Sequence, residues 1–394
     1  MTLEIENDSS ARRKLILRDA LTFLSLVLIT IVLFAITLFL FRTFTAHRQE
    51  LAQRWAARGQ AAISSGHPDQ AIVALRTALS YAPGERSYEL LLAQALGDAG
   101  HTEESYNYFL GLWETQPGDG FINLSLARIA TKKNDTQTAI NYYRAAIYGT
   151  WEGDGTLRRR DIRLELARYL IAHHDLSSAR TELLVAGGNA PDDIALALVL
   201  APLLEQAGAP SDALNYYQRV LVRQPTNQQA LEASGRLEYG FGNFEEAHRL
   251  LEKAAHEYAN AALGQTALPA DIQVMLDNSQ KILTLVPSKK LPPKERVTRI
   301  LKASDVAKKR FDSCNAQIPA ANGISSPLQT LGARWSDKKA TLNRNALLTD
   351  PTEQNAAITL VYDTEMQTSQ ICGAPTGDDA LLLLLAKSPK PVEQ

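Results

Sequence analysis

The sequence predicts an all-α fold: an N-terminal transmembrane helix, an α–α superhelix of about six helix pairs, and a small, mostly helical C-terminal module. Three observations carry this. Ala71, Ser105 and Ala139 stand 34 residues apart, as do Gly66 and Gly100, and Pro83 and Pro117. The step returns from Ala179 to Ala213 to Ala247 and from Pro191 to Pro225. Small, turn-forming and helix-stopping residues at this fixed period mark stacked helix–turn–helix units, which offer a long binding surface. The second observation is an uncharged run from Ala20 to Phe41, and the third is the loss of the period after Tyr258.

Residues 1–19 form a polar tail. Residues 20–41 read ALTFLSLVLITIVLFAITLFLF, bounded by Asp19 and Arg42. A helix of this length spans about 33 Å, enough for a bilayer core. A buried soluble helix and a cleaved signal peptide are the competing readings. The run is long for a signal h-region, and no A-x-A site follows it. No GxxxG pair lies inside it to argue for dimerisation. Arg12, Arg13, Lys14 and Arg18 precede the segment and Arg42, Arg48 and Arg54 follow it. This slight asymmetry favours a cytoplasmic N-terminus, hence a single-pass cell-membrane protein with an extracytoplasmic, periplasmic C-terminal domain.

Residues 52–260 hold the repeats. The first carries Trp55, Gly59, Gly66, Ala71, Leu75, Ala78 and Pro83; the second Leu92, Ala93, Gly100, Ser105, Phe109 and Pro117. The third has Leu126, Ala127, Asn134, Ala139, Tyr143 and Ala146; the fourth Leu166, Ala167, Leu170, Ala179, Leu183, Ala186 and Pro191. The fifth has Ala201, Leu204, Gly208, Ala213, Tyr217 and Pro225; the sixth Gly235, Gly242, Ala247, Leu251 and Ala254. Small residues let two helices approach, Gly or Asn accepts a left-handed turn, and proline stops the second helix. These residues resemble the tetratricopeptide-repeat family over slightly more than half the chain.

Two departures stand out. Ala139 and Ala179 are 40 residues apart, and the excess is expected in the glycine-rich segment Gly149–Gly155, as a binding loop or a tolerated surface loop. Pro202 lies inside the first helix of the fifth repeat, where it should kink or break it.

The resemblance implies that the first helix of each repeat lines a concave groove. One equivalent position there reads Gln60, Gln94, Arg128, Arg168, Pro202 and Arg236, and Lys132 lies one turn after Arg128. Arg128, Lys132, Arg168 and Arg236 are therefore the candidate partner-binding residues, because guanidinium forks suit carboxylates. The alternative is solvated arginines paired with nearby Glu or Asp. Members of the family that clamp chaperone tails use Lys and Asn one turn apart in the first repeat. Ala56 and Gln60 occupy those positions here, so that mode is not expected.

Residues 267–287 are expected to form a capping helix, with Ile272, Met275, Leu276, Ile282 and Leu283 as anchors. The linker Pro287–Pro293 follows. The C-terminal module, 294–394, is read as helices near Lys294–Phe311, Pro327–Leu347, Pro351–Ile371 and Asp378–Lys387, with 357–362 as an alternative strand. The chain has two cysteines, Cys314 and Cys372, 58 residues apart. They form a possible disulfide in an oxidising compartment, or remain buried thiols.

A net charge of −2 supplies no basic field for nucleic acid. There is no CxxC, Walker A, HExxH or GxSxG. His173-His174 point to different helix faces, and Gly240-Phe241-Gly242 lacks the strand of a dinucleotide fingerprint. No metal and no cofactor are expected. The chain reads as a non-enzymatic, membrane-tethered interaction scaffold that docks a partner protein or peptide, with a role in envelope complex assembly. The alternative gives the C-terminal module an activity, thiol redox among them, with the repeats as its targeting arm.

Overall fold

The computed structural model describes residues 6–188, 193–260, 268–288, 290–317, 326–338 and 342–388. Pro191, Lys289 and residues 267 and 389–394 of the expected segments lie outside them. The chain divides into two compact units, 1–166 and 167–394, each taken by itself. Among the described residues there are helices and no strand; Asp119 and Thr150 form one isolated bridge.

The first unit contains α1 (Glu6–Ser64), α2 (Pro68–Tyr81), α3 (Arg86–Asp98), α4 (Thr102–Thr115), α5 (Gly120–Lys132) and α6 (Thr136–Tyr148). Each packs on the next. Helix α7 (Gly155–Ala172) begins in this unit. The second unit continues with α8 (Leu176–Gly188), α9 (Ile194–Gln206), α10 (Pro210–Arg223), α11 (Gln228–Gly240) and α12 (Phe244–Asn260).

One hydrogen bond explains the period. His67, His101, Asp135, Asp175, Ala209 and Asn243 each donate a backbone N–H to the carbonyl five residues earlier. The residue before each has positive φ: Gly66, Gly100, Asn134, His174, Gly208 and Gly242. This is the Schellman ending of a first helix, which needs a left-handed residue. Glycine, asparagine and one histidine supply it at the recurrent position. Side-chain oxygens of Asp119, Asp135, Asp193 and Asn227 then cap helix N-termini, each contributing about 1 kcal/mol.

The small residues set the helix spacing. A Cβ on Gly59 would lie 2.6 Å from Leu75 Cγ, and one on Gly235 would lie 2.5 Å from Leu251 Cδ2. Neither pair leaves room for a methyl group. Ser105, fully buried, donates its hydroxyl to Ala93 O at 2.7 Å, so its polarity is satisfied within the hairpin.

Most of the excess between the third and fourth repeats lies elsewhere than the sequence suggests. It lengthens α7, which has 18 residues against 13 in α5. Asp154 Oδ1 accepts from the N–H groups of Thr156 and Leu157, which starts α7 early. The short glycine-rich loop is tied down. Trp151 Nε1 donates to Ala146 O at 2.9 Å, and Arg159 reaches the carbonyls of Ile147 and Gly149. Gly120 is required beside it, because a Cβ there would stand 2.2 Å from the indole. Pro202 does not end its helix: α9 runs through it to Gln206.

Helix α1 joins two segments that the sequence analysis treated separately. It runs unbroken through 20–41 and becomes the first helix of the first hairpin, packing on α2. About 16 Å of helix separates Phe41 from Ala52. Arg48 Nη2 donates to Tyr81 O at 2.8 Å, fastening this stretch to the end of α2.

Beyond the repeats come α13 (Ala270–Leu285), α14 (Pro293–Gln317), α15 (Ser326–Lys338), α16 (Arg344–Thr349), α17 (Pro351–Cys372) and α18 (Gly377–Lys387). Helix α13 packs on α11 and α12, where Ile272 shares a core with Leu231, Leu250 and Leu251. Helix α17 is central and contacts α14, α15, α16 and α18. Phe244 at the start of α12 belongs to the same core as Ile282, Phe311, Trp335, Leu360 and Leu385, so the sixth repeat and the terminal helices share one core.

The helix expected over Pro327–Leu347 is two helices. Asn343 Oδ1 accepts from Ala346 N and starts α16 anew. The segment 357–362 is helical within α17. Ala357, Leu360, Val361 and Thr364 are buried at helical spacing, and Thr364 and Thr368 return their hydroxyls to backbone carbonyls.

Candidate functional site

The cations expected to line the groove divide into two kinds. Arg128 on α5 makes a two-pronged contact with Glu165 on α7: Nε to Oε1 at 2.9 Å and Nη2 to Oε2 at 2.8 Å. Tyr143, nearly buried on α6, donates its hydroxyl to the same Oε1 at 2.8 Å. One carboxylate thus joins three successive helices. The hydrogen bonds to Glu165 raise the Arg128 guanidinium above its ordinary value, against some loss from burial. Burial, then the Glu165 charge, pushes the Tyr143 hydroxyl well above the usual phenol range.

The second unit repeats the chemistry. Arg236 Nη2 on α11 donates to Glu205 Oε2 on α9 at 2.7 Å, and Tyr217 Oη on α10 donates to Oε1 at 3.0 Å. Burial, then Glu205, raises Tyr217 in the same way. Tyr258 Oη also reaches Glu232 Oε2 at 2.8 Å, one turn before Arg236. Arg128 and Arg236 therefore brace adjacent repeats with their guanidinium groups. Being partly exposed, each ion pair is worth roughly 1 kcal/mol or less.

Lys132 and Arg168 differ. Both are exposed, and neither makes an ion pair among the described residues. Lys132 lies one turn beyond Arg128 on α5, within the first unit; Arg168 lies on α7, within the second. Glu165 and Glu205 were not among the residues expected from the sequence. Their signal was present in Tyr143 and Tyr217, recurrent tyrosines whose buried hydroxyls need an acceptor.

Cys314 on α14 and Cys372 at the end of α17 are joined by a disulfide, with Cα atoms 5.7 Å apart. His173 packs its ring on Tyr169 at 4.3 Å, and His174 makes the left-handed turn. Among the described residues no three His, Cys, Asp or Glu side chains converge as a metal site.

Residues 52–85 and 198–267 match family models described as tetratricopeptide repeat. The chain thus carries tetratricopeptide repeats and is a helical-repeat scaffold for protein interaction. Two curated relatives come from Komagataeibacter xylinus. Cellulose synthase 1 operon protein C is 24% identical over 268 residues, 65% of this chain and 20% of that protein. Cellulose synthase operon protein C is 28% identical over 243 residues, 56% of this chain and 18% of that protein. The chain therefore spans about a fifth of the length of the curated relatives it matches. Among solved structures, Pseudomonas aeruginosa PilF matches with a TM-score of 0.38 and 16% identity, over 60% of this chain and 99% of that one. YrrB, described as a TPR protein with an unusual peptide-binding site, matches with a TM-score of 0.38 and 15% identity, over 52% and 97%. Among the described residues, helix α1 is long and apolar enough to cross a membrane.

Proposed function

We propose that the chain is a membrane-tethered scaffold that docks acidic segments of partner proteins on the first helices of its repeats. The observation that carries this is the division among the cations. Arg128 and Arg236 hold Glu165 and Glu205, whereas Lys132 and Arg168 are exposed and free of ion pairs among the described residues. A partner carboxylate at Lys132 in the first unit, or at Arg168 in the second, displaces no internal acid. Arg128 and Arg236 keep the neighbouring helices in register.

In this reading α1 anchors the scaffold in a membrane with the repeats extracytoplasmic, which the uncharged run 20–41 and the slight excess of cations before it support. Tethering confines the search to a surface, so modest affinity at each cation suffices. The relatives' names associate them with a cellulose synthase operon, and a scaffold gathering proteins of an envelope complex fits such a setting.

Site-specific photo-crosslinking in native membranes tests the reading. A probe at Arg168 is compared with one at Arg76, an α2 residue paired with Glu104. One dominant protein adduct from position 168, lost with Arg168→Glu in a pull-down, is the expected result. Equal labelling at both positions, or none at 168, refutes it.

A further inference from the structure

Successive helices of the first unit alternate in direction, so the ends of α2, α4 and α6 and the starts of α3, α5 and α7 gather along one edge. Polar contacts stitch this edge together. Arg48 on α1 donates to Tyr81 O at the end of α2. Arg86, at the start of α3, donates to Thr115 Oγ1 at the end of α4 at 2.8 Å and stands 3.6 Å from Asp119, the cap of α5. Gly120 N donates to Thr150 O at 2.9 Å, and Arg159 ties the start of α7 to Ile147 O and Gly149 O. The apolar run 20–41 enters the unit at this same edge, because α1 runs from it toward the opposite turn at Gly66. About 10 Å of helix separates Phe41 from Arg48. Headgroups add about 5–7 Å on each side of the hydrocarbon core. With α1 across a bilayer, the edge at α2 therefore stands within an arginine's reach of the headgroups.

The same edge carries side chains that repeat packing leaves outside. Tyr148, the last residue of α6, is 78% exposed, and Leu157 in the first turn of α7 is 47% exposed. The guanidinium of Arg163 lies 5.7 Å from the centre of the Tyr148 ring, and that of exposed Arg158 lies 5.5 Å from Trp151. Leu157 and Arg158 belong to the turn by which α7 exceeds α5. A tyrosine ring, an aliphatic chain and a guanidinium on one edge match the chemistry of a membrane–water interface. The ring and the leucine suit the glycerol level, and the guanidinium pairs with phosphate. Glu152 and Asp154 share the segment, so its charge does not demand anionic lipid. Phosphate is common to all phospholipids.

The geometry points to the α6–α7 edge as a second membrane contact, in which Tyr148, Leu157 and Arg158 bind the phospholipid headgroup layer that α1 leaves. This rests on the anchoring proposed for 20–41. It is separate from the docking surface, since Lys132 lies at the other end of α5, about 18 Å along the helix from Gly120.

Spin labelling of the full chain in phosphatidylcholine vesicles tests it. The native cysteines are joined to each other, so a label reacts with one introduced thiol: Leu157→Cys, Ser64→Cys or Leu33→Cys. Ser64 lies at the opposite edge, about 35 Å along α1 from Phe41. Two relaxation agents are compared, oxygen and nickel chelated to a lipid headgroup. Oxygen should act most strongly at position 33, and headgroup nickel should relax the label at 157 severalfold more than at 64. Equal nickel effects at 157 and 64, with 33 still in the acyl region, overturn the proposal and leave the anchoring intact. An oxygen effect at 33 no greater than at 64 removes the anchoring and the proposal with it.

A Gly-Gly insertion after Thr45 separates binding from mere proximity. With α1 made flexible, the nickel effect at 157 should persist, and Tyr148→Asp with Arg158→Glu should then bring it down to the value at 64. Loss on the insertion alone, or persistence in the charge variant, shows that these side chains do not hold the surface and overturns the proposal.

Discussion

Glu365 is fully buried on α17, and neither carboxylate oxygen has a hydrogen-bond partner among the described residues. Burial raises its pKa first, and the charge of Asp379 on α18 adds to the rise. Arg310 on α14 pulls the other way, although its guanidinium is also engaged with Gly373 O at 2.7 Å. The balance sets Glu365 at about 8, against an ordinary 4.5. Asp379 is also raised, by burial first, with Arg310 opposing and Asp378 adding to the rise.

The sign follows from proton binding. Below the unfolded pKa both states hold the proton and nothing is lost. As the pH rises from about 4.5 to about 8, the unfolded chain releases a proton that the folded chain keeps. Stability therefore falls through this window and levels off above it. At 1.36 kcal/mol per unit, the full loss is on the order of 5 kcal/mol. Glu365→Gln fills nearly the same volume and has no charge to release. It should match the wild type near pH 4.5 and exceed it by a few kcal/mol above pH 8. Hydrogen exchange of the α17 amides, corrected for intrinsic rates, reads the difference, with α5 as an internal control. Parallel pH profiles for the two proteins would show that Glu365 ionises freely in the folded state and would refute the reasoning.

Gly59→Ala should destabilise the first hairpin by about 1–3 kcal/mol through overpacking against Leu75, seen as a lower unfolding midpoint; an unchanged midpoint counts against the tight crossing. Reducing Cys314–Cys372 frees a loop of 58 residues and should cost about 4 kcal/mol, read as a fall in the melting temperature of the C-terminal helices with dithiothreitol. Tyr143→Phe should remove one hydrogen bond to Glu165 and cost about 1 kcal/mol, measured by urea unfolding and compared with Tyr217→Phe, which removes the equivalent bond to Glu205 and should cost a similar amount. Spin labels at Arg42 and Gln60 should lie about 27 Å apart in a narrow distribution along α1, broadened by a Gly-Gly insertion after Thr45; a broad distribution in the parent would refute the continuity of the helix.

The repeats were legible because their determinants are local. A left-handed residue, a small residue facing a large one and a helix stop each act within one hairpin, so they recur at a fixed step and can be read from sequence. Gly66, Gly100, Asn134, Gly208 and Gly242 illustrate this, and His174 shows its limit, since a histidine at that position gives no compositional signal. The braces were harder to see because each joins different helices. Arg128 finds its acid 37 residues ahead, whereas Arg236 finds its acid 31 residues behind. No single spacing connects the two. The C-terminal module has no period at all, and its larger core is shared by Phe244 of the last repeat with α13, α14, α15, α17 and α18.

Under the proposed membrane anchoring, the unbroken course of α1 changes what tethering means for this scaffold. A flexible linker would let the first repeat explore a volume above the membrane and would dilute a bound partner accordingly. A continuous helix fixes its height instead, because about 16 Å of rigid rod separates the apolar segment from the first hairpin. Arg48 adds a lateral restraint by holding the end of α2 against the same rod. With both restraints in place, a partner docked on the first unit as proposed would be held at a set distance from the bilayer. The Arg128–Glu165–Tyr143 brace then carries that order from α5 through α6 to α7 without drawing on Lys132. On the proposed docking reading, stiffness and recognition fall to different side chains. Charge reversal at Lys132 should weaken docking without softening the unit, whereas removal of Glu165 should soften it and lower affinity indirectly.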